Sequence, residues 1–171
     1  MTSFQKVSLT VLGILALSGC SRAEAPPTDT AAAMAPPVAT SAADREAVQA
    51  VNAAWFKAFN ARDVDAITAL YAEDAVVSAP GMPAARGTAA IKETLGKDIA
   101  GATKAGVSNN VGTNEELGVS GDLAWESNTF TVTDKAGKTL DNGKYVTLFE
   151  RRNGKWLIIR DIWNSDGPPV R

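Results

Sequence analysis

Apolar residues recur at Val48, Val51, Trp55 and Phe59, spaced three, four and four apart. That spacing places them on one face and predicts a helix over 42–60, with a buried side that grows bulkier toward its end. Ser41 precedes it with Asp44 three positions on, a capping box with Asp in place of the usual Glu. Asp63 is set to cap a second, shorter helix in which Val64, Ile67, Leu70 and Tyr71 share a face. A third helix starts after Gly87-Thr88, carries Ile91, Leu95 and Ile99 at spacing four, and is expected to stop at Gly101.

From about residue 106 the period changes from helical to extended. Turn signals at Gly121-Asp122, Lys135-Ala136-Gly137 and Asn153-Gly154 divide the stretch into strands expected over 107–119, 123–133, 139–152 and 155–165. Three helices followed by a meandering antiparallel sheet predict an α+β fold. Strict alternation in the last strand puts Leu157, Ile159, Asp161 and Trp163 on one face and Trp156, Ile158 and Ile162 on the other. A strand apolar on both faces predicts that the sheet's outer side is covered too, by a second copy, and hence a homodimer. A solvent-exposed patch is the alternative.

The first forty residues follow another pattern. MTSFQK, VSLTVLGILAL and SGC read as a charged start, an apolar run and a small-residue cleavage zone, a secretory signal over 1–19 too short to span a bilayer. Its ending, Leu17-Ser18-Gly19-Cys20, resembles the bacterial lipoprotein signal, which implies that Cys20 becomes the acylated, palmitate-bearing first residue. A plain secretory signal with a chance Cys is the alternative. Ser21 follows in place of an acid, which in that lineage implies an outer-membrane anchor facing the periplasm. Residues 20–40, rich in Ala and Pro, cannot bury enough surface to offset chain entropy and are expected to form an extended tether. The folded domain is expected over 41–166, with 167–171 as a tail.

Composition fits that division, since 45% apolar and 21% charged residues suit an ordinary globular core. Losing the signal removes Lys6 alone, taking 17 basic and 19 acidic residues to 16 and 19, a net charge of −3. That balance excludes an electrostatic nucleic-acid binder. Cys20 is the only cysteine, so its acylation leaves neither a disulfide nor a thiolate nucleophile. With no His in the chain, the Ser-His-Asp relay and any His-bound metal are excluded, and neither a metal nor a cofactor is expected.

Within the folded part, N-x-x-D-x-x-A-x-x-x-L-Y-A-x-D-A from Asn60 to Ala75, the helix start Gly87-Thr88-x-Ala90-Ile91 and the closing W-x-I-x-x-D-x-W from Trp156 to Trp163 together resemble the nuclear transport factor 2-like superfamily, in its SnoaL-like and ketosteroid isomerase-like branch. The resemblance covers nearly all of 41–165. It implies a curved sheet wrapped around the long helix as a cone whose open end takes a small, mostly apolar ligand. It also locates the steroid isomerase machinery. The catalytic base falls at Ala79, the oxyanion-stabilising Tyr of the first helix falls at Trp55, and KYVTLFERR holds no Asp where the third acid belongs, only Glu150 among basic neighbours. Steroid isomerisation by that mechanism is therefore not expected.

Chemistry here must come from carboxylates, Tyr or Lys. Asp161, among apolar neighbours, is a candidate acid or base with a raised pKa; alternatively it pairs with the basic neighbourhood of Arg160 or caps a backbone group at the sheet edge. Trp55, Phe59, Tyr71, Phe130, Tyr145 and Trp163, with Met82 from the loop, either fill a core or line a ligand box. Asn128 and Arg160 are candidate polar groups for such a box. Glu73 and Asp74 are expected to end the second helix in solvent, and Met82 with Pro80 and Pro83 to shape the pocket rim. The expected function is a lipid-anchored periplasmic domain that binds a small, mostly apolar ligand. An enzyme of the polyketide cyclase or dehydratase type, using Asp161 or Tyr145, and a non-catalytic dimerisation module are the alternatives.

Overall fold

The structure is a computed structural model and describes residues 42–113 and 115–167. The expected signal over 1–19, the expected lipidation at Cys20, the expected tether, the Ser41 cap and most of the expected tail lie outside the described residues. The element order is α1 (Ala42–Ala61), α2 (Val64–Thr68), β1 (Tyr71–Ser78), β2 (Ala85–Arg86), α3 (Gly87–Ala105), β3 (Ser108–Val111), β4 (Glu116–Ser120), β5 (Leu123–Thr133), β6 (Thr139–Arg152) and β7 (Lys155–Ser165).

The long helix follows its apolar stripe, with Val48, Phe56 and Phe59 buried and Trp55 packed against them. The Asp63 carboxylate accepts from the Ala66 N–H at 2.9 Å, capping α2. That helix is shorter than the apolar spacing suggests. Leu70 and Tyr71 do not extend its face, because the chain turns at Ala69 and Tyr71 opens β1. Glu73 and Asp74 are accordingly exposed strand residues, and Asp74 pairs with Arg152 at 2.6 Å. The third helix runs through Gly101 to Ala105, since Gly106 and not Gly101 takes the left-handed conformation, φ 68°, and donates to the Ala102 and Thr103 carbonyls.

The sheet has the order β2-β1-β7-β6-β5-β3, with β4 also paired to β5. All its pairings are antiparallel except that of β1 with β7, which is parallel. The strand expected over 107–119 is two strands. β3 pairs with the end of β5 and β4 with its start, divided where Gly112 donates to the Thr129 carbonyl. One unclosed sheet packs around α1 and α3, and Val48, Ile67, Ile91, Leu95, Phe149 and Ile158 between them are essentially inaccessible. Each such side chain contributes about 1.5–3 kcal/mol by leaving water.

One irregularity decides which side chains face inward. Leu148 of β6 sits opposite Arg160, but the next residue, Phe149, sits opposite Ile158, so Ile159 is an extra residue in β7. A bulge of one residue reverses the parity of everything beyond it. The inner face of β7 is therefore Trp156 and Ile158 before the bulge and Asp161 and Trp163 after it, not the Leu157-to-Trp163 set that strict alternation predicts. Ile162 and Arg160 point outward. Asp161 is also not at an edge, because β7 lies between β1 and β6.

Candidate functional site

Two inner rows, each drawn from β5, β6 and β7, lie side by side on the sheet. Antiparallel register sets Glu126 of β5 opposite Thr147 of β6, and Thr147 opposite Asp161 of β7; the adjacent row is Asn128, Tyr145 and Trp163. Facing these rows, α1 presents Asn52, Trp55, Phe56 and Phe59. The Trp55 and Phe59 rings stack at 5.3 Å, with Phe56 edge-on to Trp55. Between helix and sheet lies an open cavity of about 220 Å³, walled by these aromatics with Phe130 and Trp163, and floored by Tyr145, Thr147 and Asp161.

The floor holds two carboxylate–tyrosine pairs. In the first, the Trp55 indole N–H donates to the Tyr71 hydroxyl at 2.7 Å, Tyr71 donates to Asp161 Oδ2 at 2.6 Å, and Thr147 donates to Asp161 Oδ1 at 3.2 Å. In the second, Tyr145 donates to Glu126 Oε1 at 2.5 Å while the Asn52 amide donates to both, at 2.9 and 2.7 Å. Glu126 is wholly buried, and its Oε2 accepts no hydrogen bond among the described residues. The two acids stand two strand spacings apart, about 10 Å between backbones, too far to share a proton.

Burial governs the proton affinities. It lifts the Asp161 carboxyl to about 6, against the opposing hydrogen bonds from Tyr71 and Thr147. Burial likewise raises Glu126, partly offset by the Tyr145 hydroxyl. Both tyrosines are pushed up, first by burial and then by their carboxylate partners, so each stays a neutral donor. A carboxyl with a pKa near 6 in a cavity wall can accept or release a proton close to neutrality. Among the described residues no group of three or more His, Cys, Asp or Glu is arranged to hold a metal.

Of the residues marked by the sequence, Trp55, Phe59, Phe130, Tyr145, Asp161 and Trp163 line the cavity. Tyr71 and Asn128 are buried but do not line it; Tyr71 reaches it through Asp161, and the Asn128 side-chain oxygen accepts from the Thr129 N–H. Met82 does not line it: it is exposed in the loop, and Pro80 contributes there instead. Arg160 also fails as a polar group of the box, because the Ile159 bulge turns it outward, where it donates to the Ile159 carbonyl. Ala79 is buried and apolar where the base would stand. Glu150 is held by Arg152. The sequence reading passes over Asn52, Glu126 and Thr147, although a signal exists for two of them. Asn52 lies four residues from Val48 and three from Trp55, on the apolar stripe, and Glu126 alternates with Ala124, Asn128 and Phe130.

Comparison with known proteins bears on this geometry. Residues 52–159 match the model of the SnoaL-like domain. Among solved structures the chain is similar to a nuclear transport factor 2-like protein with a cystatin-like fold from Novosphingobium aromaticivorans, at 23% identity and TM-score 0.65, over 74% of this chain and 84% of that one. It is also similar to a nuclear transport factor 2-like protein of unknown function from Pseudomonas putida, at 20% identity and TM-score 0.66, over 72% and 87%. A ketosteroid isomerase-like protein from Erwinia carotovora atroseptica follows at 24% identity and TM-score 0.56, over 72% and 96%. At these identities the likeness carries the fold and not the chemistry. No curated protein matches the chain.

Proposed function

The chain belongs to the SnoaL-like domain family, and on that premise we propose that it is a lipid-anchored periplasmic domain that binds a small, mostly apolar molecule. The observation that carries this reading is the cavity itself: an open, aromatic-walled space whose floor presents the hydrogen-bonded Asp161 and Tyr145. A pocket with apolar walls and a few fixed polar groups is the general form of a small-molecule site. Steroid isomerisation by the mechanism of the isomerase-like branch is not the activity, because Ala79 supplies no base. The anchor rests on the sequence Leu17-Ser18-Gly19-Cys20 and the tether after it. A homodimer is supported by the outer face of the sheet, where Leu123, Trp125, Val146, Leu148 and Ile162 are all exposed, at 38–54%.

A second reading, an enzyme of the cyclase or dehydratase type, is favoured by one feature, the Asp161 carboxyl lifted to about 6 with both oxygens held by neutral donors. Native mass spectrometry of the full chain extracted from its own membranes tests the first reading. The expected spectrum contains a co-purified small molecule; a bare chain would overturn the binding reading. The same molecule, returned to the protein in excess, is expected back unchanged. Conversion that disappears in Asp161→Asn would establish the enzyme instead.

A further inference from the structure

Among the described residues, the charged groups that line the cavity are all of one sign. Asp161, Asp98 and Asp141 are the carboxylic acids of its lining, and among the described residues no Lys or Arg lines it. Histidine is absent from the chain. The guanidinium of Arg62 lies 5.8 Å from the Phe59 ring, but Arg62 is not a lining residue and donates to the Phe59 and Val107 carbonyls. Among the described residues, the hydrogen bonds to the Asp161 carboxylate come from the neutral Tyr71 and Thr147.

A buried carboxylate without a cationic partner is an uncompensated charge, and supplying the partner is worth far more there than in water. An anionic ligand would meet three carboxylates and no cation. A neutral ligand would leave Asp161 as it is. A cation would meet the carboxylate beside the rings of Trp55, Trp163 and Tyr145, which line the same cavity and whose π-systems attract positive charge. We propose that the cavity takes a small organic cation, a protonated amine carried on an apolar body, with the ammonium set at Asp161 among the aromatic rings of the lining. This deepens the binding reading and rests on it.

The proposal implies a pH profile. Asp161 is faced by Tyr71 from β1, Thr147 from β6, Trp55 from α1 through Tyr71, and more remotely by Glu126 on β5, Asp98 on α3 and Asp141 on β6; each of these is neutral or acidic. Charged Asp161 binds the ammonium, so affinity is complete above about pH 6 and falls as the pH drops below it.

Three probes of one shape test this: benzylammonium, benzyl alcohol and benzoate, titrated calorimetrically into the full chain. Benzylammonium is expected to bind at least tenfold more tightly than the other two at pH 8, and to weaken about tenfold at pH 5. Asp161→Asn is expected to abolish the preference for benzylammonium while leaving benzyl alcohol within twofold. Benzyl alcohol or benzoate binding as tightly as benzylammonium would overturn the cation and leave the binding reading standing. If none of the three binds, both fall. Should Asp161→Asn not fold, the wild-type profile decides, and a benzylammonium affinity flat between pH 8 and 5 overturns the proposal.

Discussion

Asp161 has two consequences that follow from its burial alone. Its folded pKa of about 6 lies above the unfolded value near 3.9, so between those limits the native state holds the proton more tightly than the unfolded chain does. Native stability therefore falls as pH rises from about 4 to 6; the penalty is absent below that window and complete above it. Two pKa units correspond to roughly 3 kcal/mol as an upper figure. Asp161→Asn keeps an acceptor for Tyr71 and turns an amide N–H toward Thr147, whose hydroxyl then accepts where it had donated, so it removes the charge penalty while keeping both contacts. Urea denaturation is expected to show the variant more stable than wild type at pH 8 by up to about 3 kcal/mol, and equal to it at pH 4. A difference independent of pH would show that Asp161 is not the titrating group. Asp161 was legible in the sequence as a candidate acid because it is an acid in an apolar strand. Its partner Tyr71 was legible only as an aromatic, since nothing local says that a hydroxyl 90 residues away will meet it.

At the level of elements, the cavity wall depends on a glycine. Phe130 of β5 stands opposite Gly143 of β6, and a Cβ placed on Gly143 would lie 2.2 Å from Phe130 Cζ and 2.3 Å from the Asn164 carbonyl oxygen. The missing side chain is what lets the Phe130 ring lie across β6. Ring and backbone would both have to move for Gly143→Ala, which is expected to cost about 1–3 kcal/mol by chemical denaturation. A variant as stable as wild type would mean that the ring rests elsewhere. Helix faces were readable from spacing because a 3.6-residue period survives small changes in packing; the Val48–Phe59 stripe is the example. Strand faces were not, because one extra residue inverts a period of two. Ile159 is such a residue, and the faces assigned beyond it depend on a register set by β6. The ending of α3 shows the same limit. Both Gly101 and Gly106 could stop a helix, and only the backbone conformation distinguishes them.

For the whole molecule, the outer face of β5, β6 and β7 joins Trp125 to Leu148 and Val146 to Ile162 as direct cross-strand neighbours. An exposed apolar surface that crosses three central strands is a liability for a monomer and a ready isologous contact for a dimer. The anchor and the dimer can be checked in one preparation. The chain expressed with residues 1–20 replaced by a cleavable secretory signal that leaves no Cys is expected to move from the membrane to the soluble periplasmic fraction and to sediment at twice the mass of one chain. Retention of that processed chain in the membrane would remove the lipid anchor from the account, and a monomer in the soluble fraction would remove the dimer.

What the sequence determined by itself is what short-range chemistry fixes: the amphipathic long helix, the Asp63 cap, the turns at Gly121, Gly137 and Asn153-Gly154, the α+β class, and the family motifs from Asn60 to Ala75 and Trp156 to Trp163. The tertiary structure decided what those elements bring together. Glu126, Thr147 and Asp161 come from three strands and form one row only through pairing. The proton affinity of Asp161 is set by burial, and the single-signed lining of the cavity by which of many scattered acids face inward. Both are properties of distance in space, and chain order does not encode them until the sheet has closed its register around α1.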